Sequence, residues 1–502
     1  MANSLQRIGC SAIAAFALVC LSSCAVPLAP GYKIEKQSIT VRFVPGAPPH
    51  LAVRAEYRLA NVGNSSLDSI EVGLPGGKAF GRQNLQVTID NRKVTPEIAR
   101  GADADEGESS ASEEWPVVWR IPFSPAWHRK QKRTLIFDYD LTAAAEPRGR
   151  MYVSSSMFYL NDSGWFPDPL APKSLFAKDL VRPSPFDLEI IVPPGFLAAG
   201  SGEPRGVKKS SAEAEYRFRL RKDGFDPFVI AGQYVERRIA TADGTVAIWT
   251  LNPMPTPQAQ STATQISAAA KFYSQTFGPL PRSMNAIYDI EYPGDDTMGD
   301  MNQSGPANLL LPGVVYDWFY TPNKSSAPSF DKAYATLFGP AQLSSTWFDH
   351  LIRPRPEAWK LSEALVGYAS DQQDERTSAH SSRIDTIISN LSDYDGERAN
   401  IAERPIASLA PNDPEVELQI GGDKLTLFFY ALEDKCGRDN LNRALAHMVS
   451  ALRFQQYGYD DFRSAVEQEC HQDLGPFFRS WLNEKGIPAD FRARYGAAEK
   501  KN

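Results

Sequence analysis

The chain has 502 residues, of which 42 % are hydrophobic and 11 % aromatic, and it carries 38 prolines. That length exceeds one compact domain, and that composition excludes a disordered or fibrous chain. The formal charge of −7 is mild and no basic stripe runs along the sequence, so no nucleic-acid partner is expected.

Residues 1–23 read as a lipoprotein signal peptide and stand outside fold reasoning. Arg7 supplies the positive start, and Ile8 to Leu21 form an apolar core too short to serve as a comfortable membrane span. Leu21-Ser22-Ser23-Cys24 then has the form of a bacterial lipobox: a leucine, two small residues and the cysteine that accepts the lipid. Cys10 and Cys20 lack that context. An ordinary cleaved signal peptide is the plainer alternative. A palmitate-bearing, acylated Cys24 would anchor the chain to a membrane without a transmembrane helix. Ala25 follows in place of the aspartate that often retains lipoproteins at the inner membrane, so the expected address is the periplasmic face of the outer membrane in a bacterial cell envelope.

A β-rich domain is expected over 24–245. Ser38 to Phe43, Thr134 to Tyr139, Phe186 to Val192 and Glu215 to Leu220 alternate apolar and polar residues with the period of half-buried strands. Turn signals between them predict an antiparallel saddle or sandwich. The acidic, Ser/Ala-rich stretch Gly101 to Glu114 reads as a loop insertion. Past residue 245 the texture changes. Thr245 to Leu251 and Asn285 to Tyr292 predict strands, with a helix from Gln258 to Phe277 between them, stopped by Gly278-Pro279. Further helices are predicted over Ala333–Ile352, Trp359–Gln372, Ser382–Leu391, Asp423–Leu432, Leu441–Leu452, Asp460–Glu469 and Leu474–Leu482. The class is therefore α+β: a β domain, then a mainly helical domain over 246–495 and a tail at 496–502. Cys436 and Cys470 both fall in or beside helical segments, and sequence spacing leaves a disulfide and two buried thiols equally open.

One helix carries most of the functional argument. Ala341-Gln342-Leu343-Ser344-Ser345-Thr346-Trp347-Phe348 has the frame of the His-Glu-x-x-His…Trp-Phe helix of zinc aminopeptidases, in which His at i and i+4 share a face and grip one ion. Gly299-Asp300-Met301-Asn302-Gln303 stands where those enzymes have Gly-x-Met-Glu-Asn. Leu361-Ser362-Glu363, with Tyr368, resembles the helix that donates the third ligand. Phe477-Phe478, Trp481-Leu482 and Gly486-Ile487-Pro488 resemble the end of the peptidase domain. In this order the features resemble the aminopeptidase N (alanyl aminopeptidase) family of gluzincin metallopeptidases, which implies an N-terminal β saddle followed by a thermolysin-like domain.

The resemblance also implies what is missing. Zinc needs three protein ligands and an open position for water. Ala341 and Ser345 stand at the two histidine positions, and Gln342 stands at the general base, where a neutral amide cannot take a proton. Glu363 is the surviving ligand candidate, one residue short of the family spacing, and a vestigial ligand and a surface or hydrogen-bonded structural glutamate are both open there. Among the substrate-binding positions Gly299, Met301 and Asn302, the asparagine replaces the glutamate that pairs with a substrate ammonium. The oxyanion tyrosine is absent from Gln419-Ile420-Gly421-Gly422. Zinc is the family's cofactor, but with these ligands absent none is expected here.

The expectation is thus a pseudoenzyme: a lipid-anchored, catalytically inactive homologue that binds peptide or envelope-protein segments. The alternative is a divergent hydrolase rearranged around Glu363, with Asp349 and His350 as further candidates. A purely structural envelope lipoprotein is a third reading.

Overall fold

The computed structural model describes residues 31–74, 81–100, 117–142, 151–160, 165–167, 169, 186–200, 202–220, 228–242, 244–251, 253–279, 287–293, 306–311, 315–316, 343–377, 382–399, 401–409, 415–453 and 455–496. Cys24, Gly101 to Glu114, Gly299, Met301, Asn302, Ala341 and Gln342 lie outside the described residues.

The β domain is built from β1 (Tyr32–Val44), β2 (His50–Asn61), β3 (Leu67–Leu74), β4 (Arg82–Ile89), β5 (Arg92–Val94), β6 (Glu97–Arg100), β7 (Val117–Trp127), β8 (Lys132–Thr142), β9 (Met151–Val153), β10 (Met157–Leu160), β11 (Phe186–Val192), β12 (Leu197–Gly200), β13 (Glu203–Lys209), β14 (Ala214–Leu220) and β15 (Val229–Gly232). Its main sheet has eight strands in the order β13-β14-β11-β1-β2-β8-β4-β5. Alternation explains the register. Ile39, Val41 and Phe43 of β1 are buried, as are Leu51, Val53, Ala55, Tyr57 and Leu59 of β2 across from it, while Arg42, Arg54 and Arg58 face water. A three-stranded sheet, β3-β7-β6, and a four-stranded one, β12-β15-β10-β9, supply facing layers, and side chains of all three sheets meet in one core around Trp127, Phe137, Phe158 and Trp165.

The sheet departs from the antiparallel expectation at one place: β1 pairs with β11 in parallel. A long connection from β10 frees β11 from the strand before it, and its run of buried Leu188, Ile190 and Val192 suits a central position.

A second sheet, β16 (Val235–Thr241), β17 (Gly244–Thr250), β18 (Ile287–Pro293), β19 (Pro306–Leu311) and β20 (Val315–Tyr316), follows in chain order. β17 and β18 are parallel, which requires a crossover, and helix α1 (Thr256–Phe277) makes it. Ala259, Ala263 and Ile266 of α1 pack on Val246 and Ile248 of the sheet. Tyr273 and Phe277, at its far end, enter the core of the helical domain. α1 therefore joins the two.

The helical domain contains α2 (Trp359–Thr377), α3 (Arg383–Arg398), α4 (Glu415–Cys436), α5 (Arg438–Ala451), α6 (Tyr459–Cys470), α7 (Gly475–Leu482) and α8 (Ala489–Tyr495). Phe428 of α4 is its aromatic centre, with ring contacts to Phe462, Phe477, Phe478 and Trp481. Cys436 and Cys470 are joined in a disulfide that ties the end of α4 to the end of α6. Three predicted helices are longer than expected: α2 runs on to Thr377, α3 to Arg398, and α4 begins at Glu415, so Gly421-Gly422 lie inside it. α8 was not predicted. Its seven residues are too few to show a period, and it docks through Phe491 and Tyr495.

Candidate functional site

The described part of the motif segment starts at Leu343, and from Thr346 to Leu351 it is a π-helical turn, not the continued α-helix predicted through Ile352. Its i+5 bond is visible in Ile352 N–H donating to the Trp347 carbonyl at 3.2 Å. The aromatic frame of the motif is used for packing. Trp347 and Phe348 are fully buried. The Trp347 indole N–H donates to the Gly278 carbonyl at 2.8 Å, its ring lies 5.6 Å from Tyr273, and Phe348 meets Phe277 edge-on at 5.0 Å.

α2 lies along the other side of this segment. The Ser344 hydroxyl donates to the Val366 carbonyl at 3.2 Å, and the Ser362 hydroxyl donates to the Phe348 carbonyl at 3.0 Å. The two contacts set an antiparallel register in which Ser345 is level with Leu365. Glu363 then lies two residues further toward the start of α2, an axial offset of about 3 Å. The structure thus brings Ser345 and Glu363 to neighbouring elements.

Their chemistry differs from that of a ligand pair. Ser345 offers a half-buried neutral hydroxyl. The Glu363 side chain is 55 % exposed and is held at 2.7 Å by the ammonium of Lys360, whose own side chain is 11 % exposed. Lys360 also lies over the Trp359 ring, 3.9 Å from its centroid. The reason is local: Lys360 and Glu363 are three residues apart on one helix and pair across a single turn.

Asp349 accepts a hydrogen bond from the Ser362 hydroxyl. Burial pushes its carboxyl up to about 6; the Ser362 bond opposes that, Glu363 adds to it and Arg353 opposes it. On α4, burial pushes Asp423 up to about 7, with Glu397 and Asp393 raising it further and Lys360 drawing it back. Lys360 therefore faces carboxylates on two helices. Sequence reading did not single out Lys360 or Asp423, and Ser362 entered only as part of the Leu361-Ser362-Glu363 motif. The Lys-x-x-Glu spacing was the available signal for the first. Tyr430, the nearest tyrosine after the expected oxyanion position, is fully buried and donates to Asp371 at 2.8 Å.

No protein-family model and no curated protein matches the chain. Solved structures do. The M1 zinc metallopeptidase from Deinococcus radiodurans superposes with a TM-score of 0.58 at 14 % identity, covering 91 % of this chain and 95 % of that one. A variant of that enzyme bound to a Tyr-Ser-Ala substrate gives a TM-score of 0.56 at 14 % identity, with 91 % and 96 % covered. The chain has the two-domain fold of the M1 zinc metallopeptidases.

Within that M1 fold the described residues do not fit a zinc ion. Among them no group of three His, Cys, Asp or Glu side chains is placed to hold a metal. At the expected ligand positions they offer a serine hydroxyl and a carboxylate already paired with an ammonium.

Proposed function

We propose that the chain is a lipid-anchored, catalytically inactive relative of the M1 zinc metallopeptidases that binds peptide or protein segments at the cell envelope. The observation that carries this reading is the Lys360–Glu363 pair. The last carboxylate of the expected ligand set already has a cationic partner at 2.7 Å. A divalent cation would have to displace that ammonium and then find its other ligands at Ala341 and Ser345, which supply none of the usual donors. Gln342 and Asn302 remove the base and the charged amine contact by the same substitution of amide for carboxylate. The retained packing of Trp347 and Phe348 is what a binding scaffold requires once catalysis is lost.

Peptide binding is the function most readily kept on this scaffold, because a fold neighbour binds a Tyr-Ser-Ala substrate. The lipobox at Cys24 supports anchoring at the periplasmic face of the outer membrane. The alternative, a hydrolase rearranged around Glu363, draws support from the proximity of Asp349. Against it, the Asp349 carboxylate is already bonded to Ser362 and Glu363 to Lys360.

Purified chain assayed with aminoacyl and peptide reporters is expected to show no chelator-sensitive hydrolysis, while binding of peptide libraries gives saturable signals. Turnover that disappears in Glu363→Ala would establish the alternative.

A further inference from the structure

The end of the main sheet at which the described chain begins is strongly cationic, although the molecule as a whole carries a formal charge of −7. Lys33 of β1, Ala60 of β2 and Lys132 of β8 stand in one row across three strands. Lys36 and Arg58 are paired on the row behind. The β7–β8 turn adds Arg129 and Lys130 at the tip. All six cationic side chains are exposed. The acidic residues among them, of those described, are Glu35, bound by Lys132 at 2.7 Å with Arg58 at 3.7 Å, Asp90, bound by Arg133 at 2.6 Å, and the exposed Asp68. An apolar side chain, Val62, projects from the same tip with 53 % of its surface exposed.

This tip is firmly built. Buried Asn61 donates to the carbonyls of Ser65 and Trp127, at 3.0 and 2.8 Å, and so ties both loops together. Val62 and Gly63 N–H groups donate to the Gly31 carbonyl, and a Cβ on Gly63 would come within 3.0 Å of that oxygen. The loops are thus fastened to the chain entry itself. Lys130 sits at φ +64°, a left-handed conformation that glycine or asparagine adopts more readily. The turn holds a cation where backbone preference favours an uncharged residue.

We infer that this basic end, with Val62 at its tip, docks on an anionic phospholipid surface. The inference rests on the lipid-anchored reading of Cys24. Gly31 is the seventh residue after Cys24, so the acylated residue lies no more than about 25 Å along the chain from the tip. No other part of the molecule is brought to the bilayer by so short a tether. Cations within a Debye length of about 8 Å of an anionic surface are attracted to it, while the more distant negative charge of the molecule is screened. The short tether supplies proximity, and the basic end supplies orientation.

The test uses the chain from Ala25 to Asn502 without lipid, which retains every described residue, and vesicles of phosphatidylethanolamine with or without phosphatidylglycerol. Sedimentation with the anionic vesicles alone, lost at high salt, is the expected result. Lys33→Ala, Arg129→Ala and Lys130→Gly combined are expected to weaken binding by at least about tenfold. Lys130→Gly by itself keeps or raises Tm, since glycine accepts the left-handed backbone, so weaker binding is not unfolding. Lys208→Ala with Lys209→Ala, at the opposite end of the sheet, leaves binding unchanged. Equal binding to neutral vesicles, no binding, or an unaffected triple variant overturns the proposal. Mass spectrometry of the Cys24 peptide from cells reads the anchor separately. An acylated Cys24 with no vesicle binding refutes the docking surface alone, and an unmodified Cys24 with anionic binding refutes the anchor alone.

Discussion

Replacing Lys424 with methionine tests how the helical domain is closed. Lys424 on α4 and Glu403 are 1 % and 3 % exposed and meet at 3.3 Å. The same ammonium donates to the Glu484 carbonyl at 2.6 Å, and Glu403 accepts the Gly486 N–H through both oxygens at 2.7 and 2.8 Å. One buried pair therefore fixes the turn that leads into Ile487, Pro488 and α8. Burial alone would raise the Glu403 carboxyl, but the Gly486 N–H and Lys424 bring it below the ordinary glutamate value. Breaking such a pair from one side costs roughly 3–5 kcal/mol, because the remaining charge stays buried. Arg398, 3.5 Å from Glu403, partly compensates, so the lower end is expected. At about 2–4 °C per kcal/mol for a domain of this size, Lys424→Met lowers Tm by roughly 6–12 °C. Adding Glu403→Met removes the stranded charge; the Glu484 carbonyl loses its donor in both variants, and the further loss in the double one is the Gly486 N–H, about 1–3 kcal/mol. Calorimetry should therefore find the double variant more stable than Lys424→Met alone. A single variant within 1 kcal/mol of the parent, by the same ordinary measure of buried pairs, refutes the reasoning.

Three further outcomes follow from named contacts. Trp347→Ala removes a fully buried indole and its bond to Gly278, at a cost of about 3–5 kcal/mol by urea unfolding; a loss under 1 kcal/mol would contradict its scaffold role. Reduction of Cys436–Cys470, which span 34 residues, should destabilise the helical domain by about 4 kcal/mol, read as a lower Tm in the presence of reductant. Asp423 has a folded-state carboxyl raised to about 7 from 3.8, so it binds its proton more tightly when folded. Its stabilising contribution is present at acid pH and is lost as pH rises through about 7. Asp423→Asn should accordingly raise stability at pH 8, by on the order of 1–2 kcal/mol after allowing for its partial exposure, and by less at pH 5. An equal effect at both pH values would show that the charge is not responsible.

Much of the architecture was legible because it rests on periodicity. The alternation of Ser38 to Phe43 and the turn residues after Phe277 are local signals that the tertiary structure left intact. The parallel pairing of β1 with β11 was not legible, since strand partners separated by so much chain leave no local mark. The predicted helix begins at Asp423, just after Gly421-Gly422, yet α4 runs through them because the buried Leu425, Phe428, Phe429 and Leu432 behind them hold the helix. At the site, the motif showed which elements would meet but not how Glu363 would point. Orientation was decided by Lys360, one helical turn away, an effect of side-chain pairing. The cationic end shows the same limit: residues 128–133 hold four Lys and Arg residues in a row of six, but Lys33, Lys36 and Arg58 join them only through strand register.

On the proposed reading, this M1 fold no longer houses zinc chemistry. Its most direct test is the metal content of the purified chain after equilibration with zinc and removal of free ion, measured by mass spectrometry alongside hydrolysis of aminoacyl reporters. The account predicts no stoichiometric zinc and no hydrolysis above the uncatalysed rate, with Lys360→Gln leaving both unchanged because Ala341 and Ser345 still supply no imidazole. One zinc per chain together with chelator-sensitive turnover would contradict it.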